Sequence, residues 1–136
     1  MTSRILATLA VVSLVVATAS AHHASAGIDR TKTVELKGTV KAFSWQNPHS
    51  WMEVEVATEG KVVVWTVEMT APSYLVRAGW KSSTLKPGDE VSVTVRPLKN
   101  GDPGGLFVSV TLADGRTLTE RPVLAVRQAG PAPGAR

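Results

Sequence analysis

The chain has 136 residues, no cysteine, and a formal net charge of +4 from 15 basic and 11 acidic side chains. The lack of cysteine excludes disulfide bonds, thiolate metal sites and cysteine nucleophiles. This length suits a single domain, and the mild positive charge is compatible with anionic partners without specifying any.

The first 21 residues have the organisation of a secretory signal peptide. Arg4 gives a positive start, residues 5–17 form an apolar run, and Ala19-Ser20-Ala21 matches a signal peptidase site. The run is shorter than the roughly 20 apolar residues that span a bilayer, so an uncleaved anchor is the weaker alternative. We therefore expect a periplasmic or secreted protein that begins at His22, with no membrane span after cleavage. Removing 21 of the 136 residues leaves 115.

A short polar arm, residues 22–32, is predicted to precede three strands. Residues 34–42 alternate apolar and polar side chains, and Gly38 in their middle suggests a bulge or a sharp bend. Alternation resumes at residues 51–56 and, after a turn at Glu59-Gly60, at residues 61–69. The third of these strands is apolar on part of both faces, which predicts that it is central or covered on both sides.

A short helix and two more strands are predicted to follow. Thr70 is the candidate N-cap, Pro72 lies in the first turn, and Gly79 marks the end of the helix. Alternating apolar residues then predict strands at 90–97 and 106–112, with a hairpin turn at Asp114-Gly115. Residues 120–136 are rich in Pro, Ala and Gly, and we expect them to be disordered.

Three strands, a short helix and two further strands form the element order of an OB-fold, a five-stranded Greek-key barrel. We therefore predict an all-β fold in which residues 33–119 form a small OB-fold-like five-stranded barrel with one short helix between strands 3 and 4. A small β-sandwich is the alternative architecture, and the position of the helix favours the barrel.

Five short motifs stand out after the leader: His22-His23, Asn47-Pro48-His49, Gly79-Trp80, Leu85-Lys86-Pro87-Gly88-Asp89 and Asp114-Gly115-Arg116. With these motifs the chain resembles an uncharacterised family of small exported bacterial proteins, a domain of unknown function. Where that family usually has Ser and an aromatic residue after the histidine pair, this chain has Ala24-Ser25-Ala26. The resemblance spans about residues 22–119; it implies the domain boundaries and highlights the histidines, but it assigns no function.

The three histidines of the chain, His22, His23 and His49, suggest a metal site. Cleavage before His22 would place a free α-amine beside its imidazole, and the two nitrogens together can chelate a metal. The imidazole of His49 would complete a T-shaped site of three nitrogens, with His23 as a fourth ligand or the alternative partner. Such a donor set predicts copper first and zinc second. A carboxylate is expected to orient one imidazole, and Glu53 and Glu55 are candidates by their face of the strand alone.

The alternative interpretation is that these histidines are ordinary polar residues. On this interpretation His22 and His23 lie on a frayed arm, and His49 hydrogen bonds a backbone carbonyl. Met52 and Met69 offer soft sulfur for Cu(I), but both fall on inward-facing positions and are more simply core residues.

Aromatic residues around the Asn47-Pro48-His49 loop suggest a second kind of site. OB-folds bind extended ligands on the face of their second and third strands, often by stacking on aromatic rings. Trp45, Asn47 and Trp51 are therefore candidates for recognising a periplasmic protein or a glycan. The structural alternative is that Trp45 and Trp80 cap the barrel ends and Trp65 fills its interior.

No catalytic constellation is visible in the sequence, so we expect a binding protein and not an enzyme. Export also argues against nucleic acid as a partner. Two hypotheses remain: a small exported protein that binds copper through its new N-terminus and His49, or a non-enzymatic adaptor that uses the aromatic face while the histidines are incidental.

Overall fold

The structure, a computed structural model, describes residues 27–121. The predicted leader, His22, His23 and most of the predicted C-terminal tail lie outside these residues. The elements are β1 (Val34–Ser44), β2 (Trp51–Thr58), β3 (Lys61–Glu68), α1 (Pro72–Arg77), β4 (Glu90–Pro97), β5 (Gly104–Leu112) and β6 (Thr117–Thr119). Among the described residues, no helix has the length and apolarity needed to cross a membrane.

The strands close into a barrel. Their order in the sheet is β3-β2-β1-β4-β5-β6, and a parallel pairing of residues 66–68 with residues 104–106 joins β3 to β5. Strands β1 to β5 therefore form a closed barrel, with the one short helix between the third and fourth strands. This confirms the OB-fold-like prediction. The short β6 adds a sixth strand through the hairpin predicted at Asp114-Gly115.

Strand β1 reaches both sides of the barrel. Its first half pairs with β4 and its second half with β2, and the register shifts between Val40 and Ala42. This bulge lies after Gly38, the residue at which the sequence suggested a bulge or a sharp bend. A Cβ on Gly38 would collide with the backbone carbonyl of Glu55, so glycine is needed there for the close approach of β2.

The core fills the barrel and continues under the helix. Every barrel strand contributes buried side chains, and Leu75 of α1 and the following Trp80 add to them across one end. The buried apolar residues of the strands are Leu36, Val40, Met52, Val54, Val67, Val91, Val93, Val95, Phe107 and Val110. Met69 is buried as well, so the assignment of both methionines to the core is confirmed.

The predicted N-cap of α1 was wrong: the N-cap is Ala71, without a side-chain cap, and the backbone amide of Thr70 donates to Glu120. The third strand is central only at its end, where its last three residues pair with β5, and Val62 near its start is 66% exposed. The predicted helix stop is confirmed, since Gly79 has a φ of +89°.

Candidate functional site

His49 lies at the rim of the barrel, in the loop between β1 and β2. The next residue, Ser50, is fixed by two backbone hydrogen bonds: its N–H donates to the Thr70 carbonyl at 3.1 Å, and its carbonyl accepts from the Met69 amide at 2.9 Å. These bonds extend the β2–β3 ladder beyond the strand ends. The backbone therefore fixes the position of His49, while its side chain remains 49% exposed.

One ring nitrogen of His49 is flanked by two oxygens. Nδ1 lies 3.1 Å from the backbone carbonyl of Met69, with hydrogen-bond geometry, and 2.8 Å from Oε1 of Glu68. A carbonyl and a carboxylate only accept hydrogen bonds, so Nδ1 must carry the hydrogen. In the neutral ring the other nitrogen, Nε2, then keeps a free lone pair on an exposed side chain.

A second carboxylate lies near this pair. Glu120 Oε1 accepts a hydrogen bond of 2.6 Å from the Thr70 amide, and Trp80 Nε1 donates to the carbonyl of the preceding Thr119 at 2.8 Å. Burial raises the pKa of the Glu120 carboxyl, against the opposing effects of the Thr70 amide and the charge of His49. We call His49, Glu68 and Glu120 the histidine rim.

The histidine rim does not form a complete metal site by itself. Within residues 27–121, no three His, Cys, Asp or Glu side chains are grouped so that they could hold a metal ion. A tight site at His49 therefore needs donors from beyond this part of the chain, which is where His22 and His23 lie.

The predicted arm is long enough to supply them. Ile28 forms a β-bridge with Leu98, just after β4, and the Leu98 amide donates to the carbonyl of Gly104 in β5. Gly104 in turn pairs with Thr66 of β3, so three strand spacings separate Ile28 from Thr66. At about 4.8 Å per strand this is roughly 14 Å, and Thr66 is two residues from Glu68. The six residues from His22 to Ile28 span up to ~20 Å when extended. A chain that begins at His22 would therefore have an arm long enough to reach the rim.

A different carboxylate from the two candidates contacts the His49 ring. Glu53 pairs with Lys41 at 3.1 Å, and both Glu53 and Glu55 belong to the middle of β2. The carboxylate that meets the ring is Glu68, which sequence reasoning missed. A signal for it existed: a two-residue turn at Glu59-Gly60 places Glu68 opposite Trp51, two residues from His49.

The aromatic candidates divide between core and surface. Trp45 is half-buried and packs edge-on against Phe43 at 5.9 Å, and Phe43 in turn lies 6.1 Å from the buried ring of Trp80. Trp45 is thus the outer end of a row of rings that leads into the core. Asn47 is exposed, and Trp51 is half-buried opposite Glu68, on the same face of the sheet.

The other two tryptophans belong to the core or pack against it. Trp80 is only 1% exposed and lies with Leu75 among the buried residues. Trp65 is half-buried and packs against the core without filling it.

Comparison with known proteins identifies the family. The sequence model of a family of unknown function (DUF6152) matches residues 9–108, from within the predicted leader to β5. No curated protein and no solved structure shows a significant match. The family match covers more than half of the chain and agrees with the resemblance to an uncharacterised family. The chain therefore belongs to this family of unknown function.

Proposed function

We propose that this member of the family is an exported, periplasmic protein that binds one Cu(II) ion through its mature N-terminus and His49. After cleavage before His22, the α-amine and imidazole of His22 would provide two nitrogens, and Nε2 of His49 the third. His23 is an additional or alternative ligand. The observation that supports the proposal is the half-exposed His49 ring, whose Nδ1 is engaged by the Met69 carbonyl, so that in the neutral ring Nε2 carries the lone pair.

The choice of copper follows from the donors. Imidazole and amine nitrogens suit Cu(II) and zinc, and the affinity order for divalent ions favours copper. Soft ligands that would favour Cu(I) are not at hand, since the chain has no cysteine and both Met52 and Met69 are buried. Zinc is the second choice because it accepts the same imidazoles in tetrahedral geometry.

The proposal is tested with two forms of the protein that differ only in the terminal amine. Both begin at His22, with the terminus verified by mass spectrometry, and in the second form the α-amine is acetylated. We expect tight 1:1 Cu(II) binding by the first form and a loss of at least about tenfold in affinity in the second, because acetylation removes the amine from the chelate.

The matched side-chain variant is His49→Ala in the form that begins at His22. It should weaken Cu(II) binding at least about tenfold while leaving the unfolding transition in place, because the His49 ring is half-exposed and outside the core. Equal affinity of the acetylated and the free N-terminus, or no effect of His49→Ala, contradicts the proposal.

A second candidate function rests on Trp51. Its ring is half-buried on the outer face of β2, beside the exposed loop that holds Asn47, as in an adaptor that recognises a protein or a glycan. Trp51→Ala should then abolish capture of that partner without changing copper affinity, whereas the copper proposal predicts that acetylation of the α-amine lowers copper affinity more than Trp51→Ala does.

A further inference from the structure

We infer that Glu68 is the positioning residue of the proposed copper site, and that its carboxylate directs the metal to Nε2 of His49. This inference rests on the proposed function, since it assigns a role within the same site. It adds a residue that touches neither the metal nor the N-terminus and acts through the histidine ring.

The position of Glu68 is rigid where it meets the ring. It is the last residue of β3, and at this point β3 is paired on both sides, with Trp51 of β2 and with Leu106 of β5. Its side chain is only 15% exposed, whereas that of His49 is 49% exposed. The carboxylate is therefore the fixed member of the pair, and the ring is the member that orients against it.

The carboxylate contributes charge that the backbone does not. The Met69 carbonyl accepts the hydrogen bond from Nδ1 but is neutral, whereas Glu68 Oε1, at an ion-pair distance of 2.8 Å from Nδ1, carries negative charge. A negative charge beside Nδ1–H favours the tautomer with its hydrogen on Nδ1 and makes Nε2 a better electron donor. Such partners of metal-binding histidines are worth about 10–100-fold in metal affinity.

Of the two carboxylates of the histidine rim, Glu68 is the one in contact with the His49 ring. The Oε1 atom of Glu120 accepts from the Thr70 amide at 2.6 Å, so that carboxylate is committed to the backbone. Glu53, two positions along β2 from Trp51, is paired with Lys41 at 3.1 Å. Glu53→Gln therefore removes a carboxylate of the same outer surface without touching His49, and it is the matched control.

The first arm of the test needs no metal. Two-bond 1H–15N NMR spectra of the His49 ring report which nitrogen carries the hydrogen. We expect Nδ1–H in the wild-type chain and in Glu53→Gln, and a larger fraction of Nε2–H in Glu68→Leu. A wild-type ring protonated on Nε2 overturns the inference, whatever the chain does with copper.

The second arm measures Cu(II) affinity and the electron paramagnetic resonance spectrum of the protein that begins at His22. We expect about a tenfold loss in Glu68→Gln, a loss approaching 100-fold in Glu68→Leu, no change in Glu53→Gln, and partial rescue by Glu68→Asp. Should Glu68→Leu not fold, Glu68→Gln decides. Equal affinity of Glu68→Gln and Glu53→Gln overturns the role of Glu68. Absence of copper binding in the wild type overturns the proposed function, while the NMR spectra still decide the tautomer.

Discussion

The Glu120 carboxylate is the group in the histidine rim whose ionisation depends most clearly on folding. Burial raises its pKa above the ordinary value of 4.5 and outweighs the Thr70 amide, which favours the charged form. The folded chain therefore holds this proton more tightly than the unfolded chain does. The contribution of Glu120 to stability is complete below its unfolded pKa and is lost as the pH rises through its folded pKa.

Glu120→Gln should remove this pH dependence. The amide oxygen of glutamine can still accept from Thr70 N–H, but the substitution eliminates the desolvated charge. We expect the free energy of unfolding of the variant to change less between pH 4.5 and 7 than that of the wild type. Urea denaturation at both pH values measures it. Glu35→Gln, at an exposed carboxylate that accepts from Ser92, is the control, and equal pH slopes in both variants would contradict the prediction.

At the scale of single residues, His49 could be selected from the sequence, but its contacts could not. Its selection as a metal ligand required only its residue type and its place in a loop. Its hydrogen-bond partner, the Met69 carbonyl, and the Glu68 carboxylate at ion-pair distance are 20 and 19 residues away and follow from strand pairing. A carbonyl partner was anticipated in the alternative interpretation, and in the neutral ring such a bond places the hydrogen on Nδ1 and the lone pair on Nε2.

Among the elements, the β2–β3 hairpin controls the geometry of the site. Glu59 and Gly60 have φ values of +49° and +76°, so both central residues of the turn are in the left-handed region, as a type I′ turn requires. That turn sets the register in which Trp51 pairs with Glu68. The ring of His49 and the carboxylate of Glu68 meet because of it.

Glu59→Asn should stabilise this hairpin. Asparagine adopts positive φ more readily than glutamate, and Asn-Gly is the preferred sequence for a type I′ turn. We expect the free energy of unfolding to rise by about 0.5–1 kcal/mol, with no change in fold. Thermal and urea unfolding measure it, and Glu55→Asn on the adjacent strand is the control. A loss of stability in Glu59→Asn would show that the turn differs from the one described.

Strand β1 depends on Gly38 in a different way. A Cβ there meets the backbone of Glu55, which belongs to a paired strand and cannot move aside like a flexible side chain. Gly38→Ala should therefore lower the free energy of unfolding by about 1–3 kcal/mol. Gly27→Ala is the control, because its Cβ would meet only Leu98 at 3.9 Å, an ordinary contact. Equal stability of the two variants would exclude a close approach at Gly38.

At the scale of the whole molecule, the positions of the sulfur-containing side chains predict that the proposed site should lose copper on reduction to Cu(I). The chain has no cysteine, and Met52 and Met69 are buried, so within residues 27–121 no exposed sulfur donor is available to the proposed site. Such donors hold Cu(II) in preference to Cu(I).

Reduction should therefore release the metal. Ascorbate added to the copper-loaded protein is expected to transfer Cu(I) to a colourimetric chelator, and the rise in Tm produced by Cu(II) should be lost at the same time. The zinc-loaded protein is the control, because zinc has no accessible redox change and should stay bound. Copper that remains bound after reduction would indicate a sulfur donor or a different site.

The sequence alone determined the order of strands and helix, the hairpin turns and the three histidines as candidate ligands. These features are local: side chains alternate with period two along a strand, and glycine marks turns that need positive φ. The order β-β-β-α-β-β was then sufficient to predict an OB-like barrel.

Only the tertiary structure decided which groups meet. The parallel closure of β3 on β5, the exposure of Val62, the bond from the Thr70 amide to Glu120, and the choice of Glu68 over Glu53 all depend on pairs of residues distant in sequence. Strand periodicity places a carboxylate on a face, but the register between strands places it beside a particular ring, and register is set by turns and core packing together.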